Sequence, residues 1–195
     1  MKKFYTRITL TLSILLCSSS LVFWRISCYR PAISNGVEIK NFDDSRDRQF
    51  ILDMFQKNWY WLVENPDFSP EFMMDHMSPN KKPESFGKEQ IKVLFKDSQP
   101  IGFATYNKEK FYKGYVHFLL IDEKYRGKRY AEQLMRYALN DLFSQGIEKV
   151  WLNTRENNKA ARTLYERLGF KYFKPYEAPG FVFFEISKDE YEKLK

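Results

Sequence analysis

A chain of 195 residues with a formal net charge of +7 has room for one domain of ordinary size whose core can fold alone. Five of the positive charges lie within the first 30 residues, which contain no Asp or Glu, so the rest carries only +2 and lacks the basic surface expected of a nucleic-acid-binding protein. Both cysteines, Cys17 and Cys28, lie in that same segment, and the chain has two histidines, which argues against a disulfide framework or a metal site in the remainder.

The N-terminal segment contains an uncharged run, residues 8–24, flanked by basic residues. As a helix at about 1.5 Å per residue it would be roughly 26 Å long, slightly less than a hydrocarbon core of about 30 Å. It fits a membrane anchor, and it also fits a signal peptide with Met1–Arg7 as basic region, Ile8–Leu16 as apolar region and Cys17–Ser20 as cleavage site. A buried core helix is a third interpretation. Lys and Arg number three before the run and two after it, which favours a cytoplasmic N-terminus without settling the orientation.

We place one domain at residues 35–195, after an N-terminal segment and linker at residues 1–34. Its first half predicts a strand, two helices, a hairpin and a further strand. Ser45 offers the N-cap of the first helix, and Asn65-Pro66 stops that helix. The predicted bounds are Val37–Phe42, Ser45–Glu64, Glu71–Met77, Ile91–Phe95, Ile101–Tyr106 and Tyr115–Ile121.

The second half predicts two helices separated by strands. Apolar residues from Ala131 to Leu142 recur with the helical period until Gly146, and Gly169 closes the next helix. The remaining bounds are Lys149–Asn153, Asn158–Leu168, Phe170–Phe173 and Phe181–Ile186. The order is β-α-α-β-β-β-α-β-α-β-β, which predicts an α/β domain with a mixed sheet covered by helices.

A short basic turn around Gly127 links the apolar strand ending at Ile121 to the helical pattern that starts at Ala131. The first backbone N–H groups of a helix lack intrahelical partners, and the helix dipole favours an anion there. The turn is therefore a candidate phosphate site.

Two motifs together resemble the GCN5-related N-acetyltransferase (GNAT) superfamily. The first follows the strand and is similar to the family's acyl-CoA pyrophosphate loop; it consists of Arg126, Gly127, Lys128, Arg129, Tyr130 and Ala131. The second, from Asn158 to Phe170, is similar to the family pattern Asn-x-x-Ala-x-x-Leu-Tyr-x-Lys/Arg-x-Gly-Phe. The resemblance implies a central, mostly antiparallel twisted sheet flanked by helices, and acetyl-CoA as cosubstrate.

One position departs from the family pattern, because Arg129 stands where the loop usually has its middle glycine. Glycine there allows close backbone approach to the diphosphate and a positive φ. Arg129 keeps its amide, and its guanidinium could add a charge-assisted contact. We expect weaker or reshaped cofactor binding.

On the second helix, Asn158, Ala161 and Tyr165 share one stripe, with the small alanine leaving a shallow groove. The resemblance implies that the pantetheine arm lies there, with Asn158 hydrogen-bonded to it and Tyr165 near the sulfur. A tyrosine, with a reference pKa of about 10, can protonate a departing thiolate of reference pKa about 8.5. The alternatives are a helix cap for Asn158 and a core position for Tyr165.

The strand before the turn supplies the other expected parts. The resemblance implies that it splays from its neighbour, so that amides near Leu119 and Ile121 bind pantetheine and stabilise the oxyanion. His117 is the candidate base, expected on the same strand face as Ile121, with Glu109, Tyr115 or water as substitutes.

The leading hypothesis is an N-acetyltransferase that moves an acetyl group from acetyl-CoA to a primary amine by direct transfer in a ternary complex. The acceptor is a small molecule or a peptide or protein amine, and no nucleic acid is expected. The alternatives are a non-catalytic acyl-CoA-binding or sensing module, or a membrane-tethered interaction domain. Because acetyl-CoA is expected in the cytoplasm, a membrane-associated protein with a cytoplasmic catalytic domain is favoured over secretion after signal cleavage.

Overall fold

The computed structural model describes residues 36–63, 65–75, 89–109, 113–175 and 179–195. The expected anchor or signal at residues 8–24 lies outside these ranges. None of the helices within them has the length and apolar character that a bilayer crossing requires.

Seven strands form one sheet in the order β1-β2-β3-β4-β5-β7-β6. Only β4 and β5 run parallel, and every other neighbouring pair is antiparallel. This confirms the expected mixed, mostly antiparallel sheet. The strands are β1 Val37–Asn41, β2 Gln90–Lys96, β3 Gln99–Lys108, β4 Lys113–Ile121, β5 Lys149–Arg155, β6 Lys171–Pro175 and β7 Phe181–Ser187.

Helices cover both faces of the sheet. They are α1 Asp44–Leu62, α2 Pro70–Asp75, α3 Tyr130–Ser144, α4 Lys159–Arg167 and α5 Lys188–Glu192. The apolar stripe of α1 packs Ile51 and Phe55 against Val93 and Phe103 on one face. On the other face α3 and α4 cover the core that includes Leu139 and Tyr165. Burial of these apolar surfaces supplies the main stabilisation of the domain.

Two helix ends differ from the sequence-based expectation. Asp43, and not Ser45, is the N-cap of α1, because its carboxylate accepts a hydrogen bond from the Arg46 amide at 3.1 Å. The chain also ends in the unpredicted helix α5, which begins at a capping box formed by Ser187 and Glu190. The element order is therefore the expected one with a helix added at its end.

Two local irregularities shape the region around β4. Opposite β4, Thr105 of β3 pairs with Phe118 and Tyr106 pairs with Val116, so His117 is an extra residue in a β-bulge. In α1, Asn58 leaves the helical conformation with φ −125° and ψ 20°, which kinks the last turn of the helix.

Candidate active site

The parallel strands β4 and β5 pair over only three residues. The pairs are Lys113 with Lys149, Gly114 with Val150, and Tyr115 with Trp151. β4 continues along β3 as far as the pair of Ile121 with Gly102, while β5 continues along β7. Beyond Tyr115 the described parts of β4 and β5 therefore diverge, as expected for the splayed strand.

The backbone of β4 presents polar groups to this gap. The Asp122 amide donates to the Ile101 carbonyl at 2.8 Å, toward β3. Because successive residues of a strand point their amides to opposite sides, the amides of Leu119 and Ile121 face away from β3. Arg126 Nε donates to the Ile121 carbonyl at 3.0 Å from that same open side.

A cleft of about 640 Å³ occupies the gap between β4, α3 and α4. It brings together nine of the ten predicted cofactor residues, which are Leu119, Ile121, Arg126, Gly127, Arg129, Tyr130, Ala131, Asn158 and Tyr165. Lys128 is not part of the lining, and its ammonium lies 5.8 Å from the centre of the Tyr125 ring.

The turn before α3 is built for close approach to its backbone. Arg129 takes the left-handed conformation, φ 62° and ψ 16°, that the usual glycine would adopt without strain. The Gln133 amide donates to the Arg129 carbonyl at 3.1 Å, so the amides of Tyr130, Ala131 and Glu132 precede the first intrahelical bond and have no acceptor within α3. A Cβ added at Gly127 would meet no atom within 4 Å, which shows the space above the turn. The backbone of this turn can therefore accommodate a diphosphate.

The first turn of α3 carries one acidic residue, Glu132, beside this cradle. Its carboxylate contacts Arg136 and Arg167, each at 3.1 Å. The two guanidinium groups balance a negative charge that would otherwise repel an anion at the helix start.

Arg126 is exposed, but its guanidinium donates hydrogen bonds to protein groups. Besides the Ile121 carbonyl, it contacts Asn58 Oδ1 at 2.9 Å through Nη2. Asn58 in turn donates to the Met54 carbonyl at 2.9 Å, at the kink of α1. Asn58 and Trp61 both line the cleft, and neither was predicted to do so from the sequence.

The structure assigns positions to Asn158 and Tyr165, for which the sequence left a structural and a functional interpretation open. Asn158 is the N-cap of α4, and its Oδ1 accepts from the Ala161 amide at 3.2 Å. That cap uses the oxygen and leaves the side-chain NH₂ of this cleft residue for a ligand. Tyr165 is buried, with its ring centre 5.8 Å from Phe170 and 5.9 Å from Phe184. Burial raises the pKa of the Tyr165 hydroxyl, so it stays protonated at neutral pH.

A second cavity, of about 450 Å³, lies on the α1 side of the sheet, and we call it the acceptor cavity. It contains the candidate base His117 and both predicted substitutes, Glu109 and Tyr115. Its other lining residues are Leu62, Val63, Asn65, Phe68, Phe118, Trp151, Asn153, Phe181 and Phe183. Burial lowers the pKa of His117 to about 4, so the imidazole is neutral at physiological pH.

The expectation that His117 shares a strand face with Ile121 is wrong. Phe118 and Leu120 pack with α1, whereas Ile121 packs with Leu134 of α3. The bulge at His117 adds one residue and reverses the alternation that follows it. His117 and the Ile121 amide therefore approach the gap from different sides.

Known proteins are similar to this chain in sequence and fold. Residues 49–170, more than half of the chain, match the model of the family described as "Acetyltransferase (GNAT) family". N-alpha-acetyltransferase 30 of Schizosaccharomyces pombe is 37% identical over 62 residues, which are 32% of this chain and 41% of that protein. The ribosomal protein bS18-alanine N-acetyltransferase of Haemophilus ducreyi is 35% identical over 52 residues, 27% of this chain and 36% of that protein. The matches thus span less than half the length of either relative.

Among solved structures, spermidine N-acetyltransferase from Vibrio cholerae in complex with CoA and spermine superposes with a TM-score of 0.63 at 20% identity. The superposition covers 80% of this chain and 98% of that one, which shows a shared fold. With the family match over residues 49–170, the chain belongs to the acetyltransferase (GNAT) family.

Proposed function

We propose that this domain transfers an acetyl group from acetyl-CoA to a primary amine, with both reactants bound at once. The observation that best supports this proposal is that two cavities are lined by neighbouring residues of β4. The cleft is lined by Leu119 and Ile121, and the acceptor cavity by His117 and Phe118. Two reactants held on either side of this stretch would be close enough for direct transfer.

The described residues fit acetyl-CoA. The turn from Gly127 to Ala131 would hold the diphosphate through its amides, and the amides of Leu119 and Ile121 with Asn158 would hold the pantetheine. The aliphatic surface of Ala161 and Leu164 lines the same cleft. When bound, acetyl-CoA supplies a thioester carbonyl that is reactive toward amines.

Three groups of the chain carry the proposed chemistry. The Ile121 N–H donates to the carbonyl oxygen as negative charge develops on it, an effect commonly worth about 3 kcal/mol. Tyr165, kept protonated by its burial, gives a proton to the sulfur. His117, neutral because of its low pKa, accepts a proton from the amine, and Glu109, Tyr115 or water are its substitutes.

A peptide or protein amine is the proposed acceptor class. Both curated relatives described above are named for acetylation of α-amino groups or of a ribosomal protein. The acceptor cavity has aromatic walls and one carboxylate, Glu109, which suits an apolar residue beside an ammonium group. A small polyamine is the second candidate, because the similar Vibrio cholerae structure is that of a spermidine N-acetyltransferase in complex with CoA and spermine.

For location, we propose that residues 8–24 tether the domain, residues 35–195, to a membrane on the cytoplasmic side, where acetyl-CoA is available. Secretion after signal cleavage is the alternative. Protease added to intact cells should leave the domain undigested, and complete digestion from outside would contradict the proposal.

Titration of acetyl-CoA followed by a peptide and amine panel with thiol detection tests the function. We expect binding and stoichiometric thiol release with at least one N-terminal peptide. Binding without turnover on any amine would favour a non-catalytic acyl-CoA-binding or sensing module. Absence of binding would favour a membrane-tethered interaction domain.

A further inference from the structure

Four enclosed polar atoms cluster under the acceptor cavity and make no hydrogen bond of good geometry among the described residues, although Thr105 lies close enough to Glu89 to affect its pKa. They are Glu89 Oε1, Thr105 Oγ1, Asn107 Oδ1 and His117 Nε2. Asn107 pairs with Tyr115 and Thr105 with Ile91, and Glu89 immediately precedes β2. Phe103 and Ile91 of the same strands pack with α1, so strand alternation puts this whole set on the α1 side. Buried polar atoms in such a row call for a functional or solvent partner, since leaving them unpaired is costly.

The closest pair in this set joins two titratable groups. Glu89 Oε2 lies 3.5 Å from His117 Nε2, and 17% of the Glu89 side chain and 34% of the His117 side chain are exposed. Although a third of the His117 side chain is exposed, its Nε2 is enclosed. The enclosed nitrogen faces Glu89, which leaves Nδ1 as the ring nitrogen available to the acceptor cavity.

We propose that Glu89 is a positioning residue for His117: it accepts a hydrogen bond from Nε2–H and thereby keeps the Nδ1 lone pair available to the acceptor amine. This rests on the proposed function. A carboxylate behind an imidazole fixes the tautomer and stabilises the imidazolium once a proton arrives.

Acetylation of an ammonium group by a thioester gives an amide, a thiol and one proton. In this reaction an N–C bond forms, and the C–S bond breaks with its electron pair remaining on sulfur. The acceptor nitrogen loses two protons. One replaces the proton that Tyr165 gives to sulfur, and the other goes to His117 and then to solvent.

A pKa of about 4 makes the His117 imidazole a weak base on its own, so its proposed role depends on the charge of Glu89. Burial raises the pKa of Glu89 to about 7 and lowers the pKa of His117 to about 4. Glu89 therefore ionises close to pH 7, and its charge then makes His117 a stronger base. Within the described chain, the other titratable groups lining the cavity are Glu109, immediately after β3, and Tyr115 from β4. The lining residues from α1, β5 and β7 are apolar, aromatic or amide side chains.

Nuclear magnetic resonance of the histidine ring in the full chain tests the assignment without turnover. His76→Gln leaves His117 as the single histidine signal. Above pH 7, where Glu89 is ionised, we expect the neutral ring to carry its proton on Nε2, and the ring shifts should show a step near pH 7 that reports Glu89 ionisation. A proton on Nδ1 above pH 7, where Glu89 is ionised, in this otherwise wild-type chain would overturn the proposal, whatever the stability of other variants.

Two variants in the same background complete the test. Glu89→Gln should abolish the step near pH 7, whereas the matched Glu109→Gln change should retain it. A step that persists in Glu89→Gln would overturn the assignment. If an acceptor is turned over, Glu89→Gln should lower kcat about tenfold and flatten the rise of kcat near pH 7, with little change in the KM for acetyl-CoA. The resonance experiment decides the role of Glu89, while thiol release decides the proposed function, so failure of one is distinguishable from failure of the other.

Discussion

Arg129 holds a left-handed backbone conformation, φ 62°, at the start of α3. This conformation destabilises the folded state by roughly 1–2 kcal/mol when the residue is not glycine. Glycine avoids that cost but stabilises the unfolded state by about 0.5–1 kcal/mol through its greater chain entropy. Arg129→Gly should therefore raise the free energy of unfolding by about 0.5–1 kcal/mol in urea titrations. Arg129→Ala keeps the strain and serves as the control. Equal stability of the two variants would contradict the strain argument.

Tyr165 is the residue on which the proposed proton delivery depends. Tyr165→Phe keeps the ring packed against Phe170 and Phe184 but removes the hydroxyl. We expect kcat to fall about 100-fold with a much smaller change in acetyl-CoA affinity, measured by steady-state kinetics and calorimetry. Tyr137→Phe, on α3 outside both cavities, is the matched control. Unchanged kcat in Tyr165→Phe would remove this residue from the mechanism.

At the scale of elements, Asn58 joins α1 to the end of β4 through Arg126. Asn58→Ala removes hydrogen bonds to Arg126 and to the Met54 carbonyl, at a cost of about 1–2 kcal/mol in unfolding free energy. Because Arg126 then loses one support beside Ile121, acetyl-CoA affinity should fall about fivefold by calorimetry. Gln49→Ala removes an exposed hydrogen bond on the same helix and should change both quantities little. Wild-type affinity in Asn58→Ala would contradict this coupling.

The same elements show how far sequence patterns reach. The turn around Gly127 and the stripe on α4 are local patterns, and the residues predicted from them meet in one cleft except for Lys128. The face of His117 was mispredicted because a bulge depends on pairing with β3, which alternation along β4 does not encode. The contact between Asn58 and Arg126 spans 68 positions and has no local signature. Helix α5 did have one, since Ser187 and Glu190 have the spacing of a capping box.

At the scale of the whole molecule, Glu89 and His117 affect stability in opposite directions as pH changes. The pKa of Glu89 rises on folding from 4.5 to about 7. Its stabilising contribution to the free energy of unfolding is therefore fully present below pH 4.5 and is lost as pH rises through 7. The pKa of His117 falls from 6.5 to about 4, so its contribution is present above pH 6.5 and is lost as pH falls through 4. The two effects offset each other between these limits.

Single variants should expose each half of this balance. Relative to wild type, the unfolding free energy of Glu89→Gln should rise with pH between 4.5 and 7. The unfolding free energy of His117→Gln should fall relative to wild type as pH rises from 4 to 6.5. Denaturant titrations across this range measure both differences, and curves that run parallel to wild type would show that the two pKa values do not shift on folding.

The central claim is that the cleft opened by the divergence of β4 and β5 binds acetyl-CoA against α4. Ala161 lies in that cleft, whereas Thr163 on the same helix is exposed and outside its lining. Calorimetric titration of acetyl-CoA into the full chain compares wild type with Ala161→Trp and Thr163→Trp, each first shown to be folded by circular dichroism. We predict binding to wild type and Thr163→Trp and none to Ala161→Trp, because the indole would fill the groove. Wild-type affinity in Ala161→Trp would contradict the account.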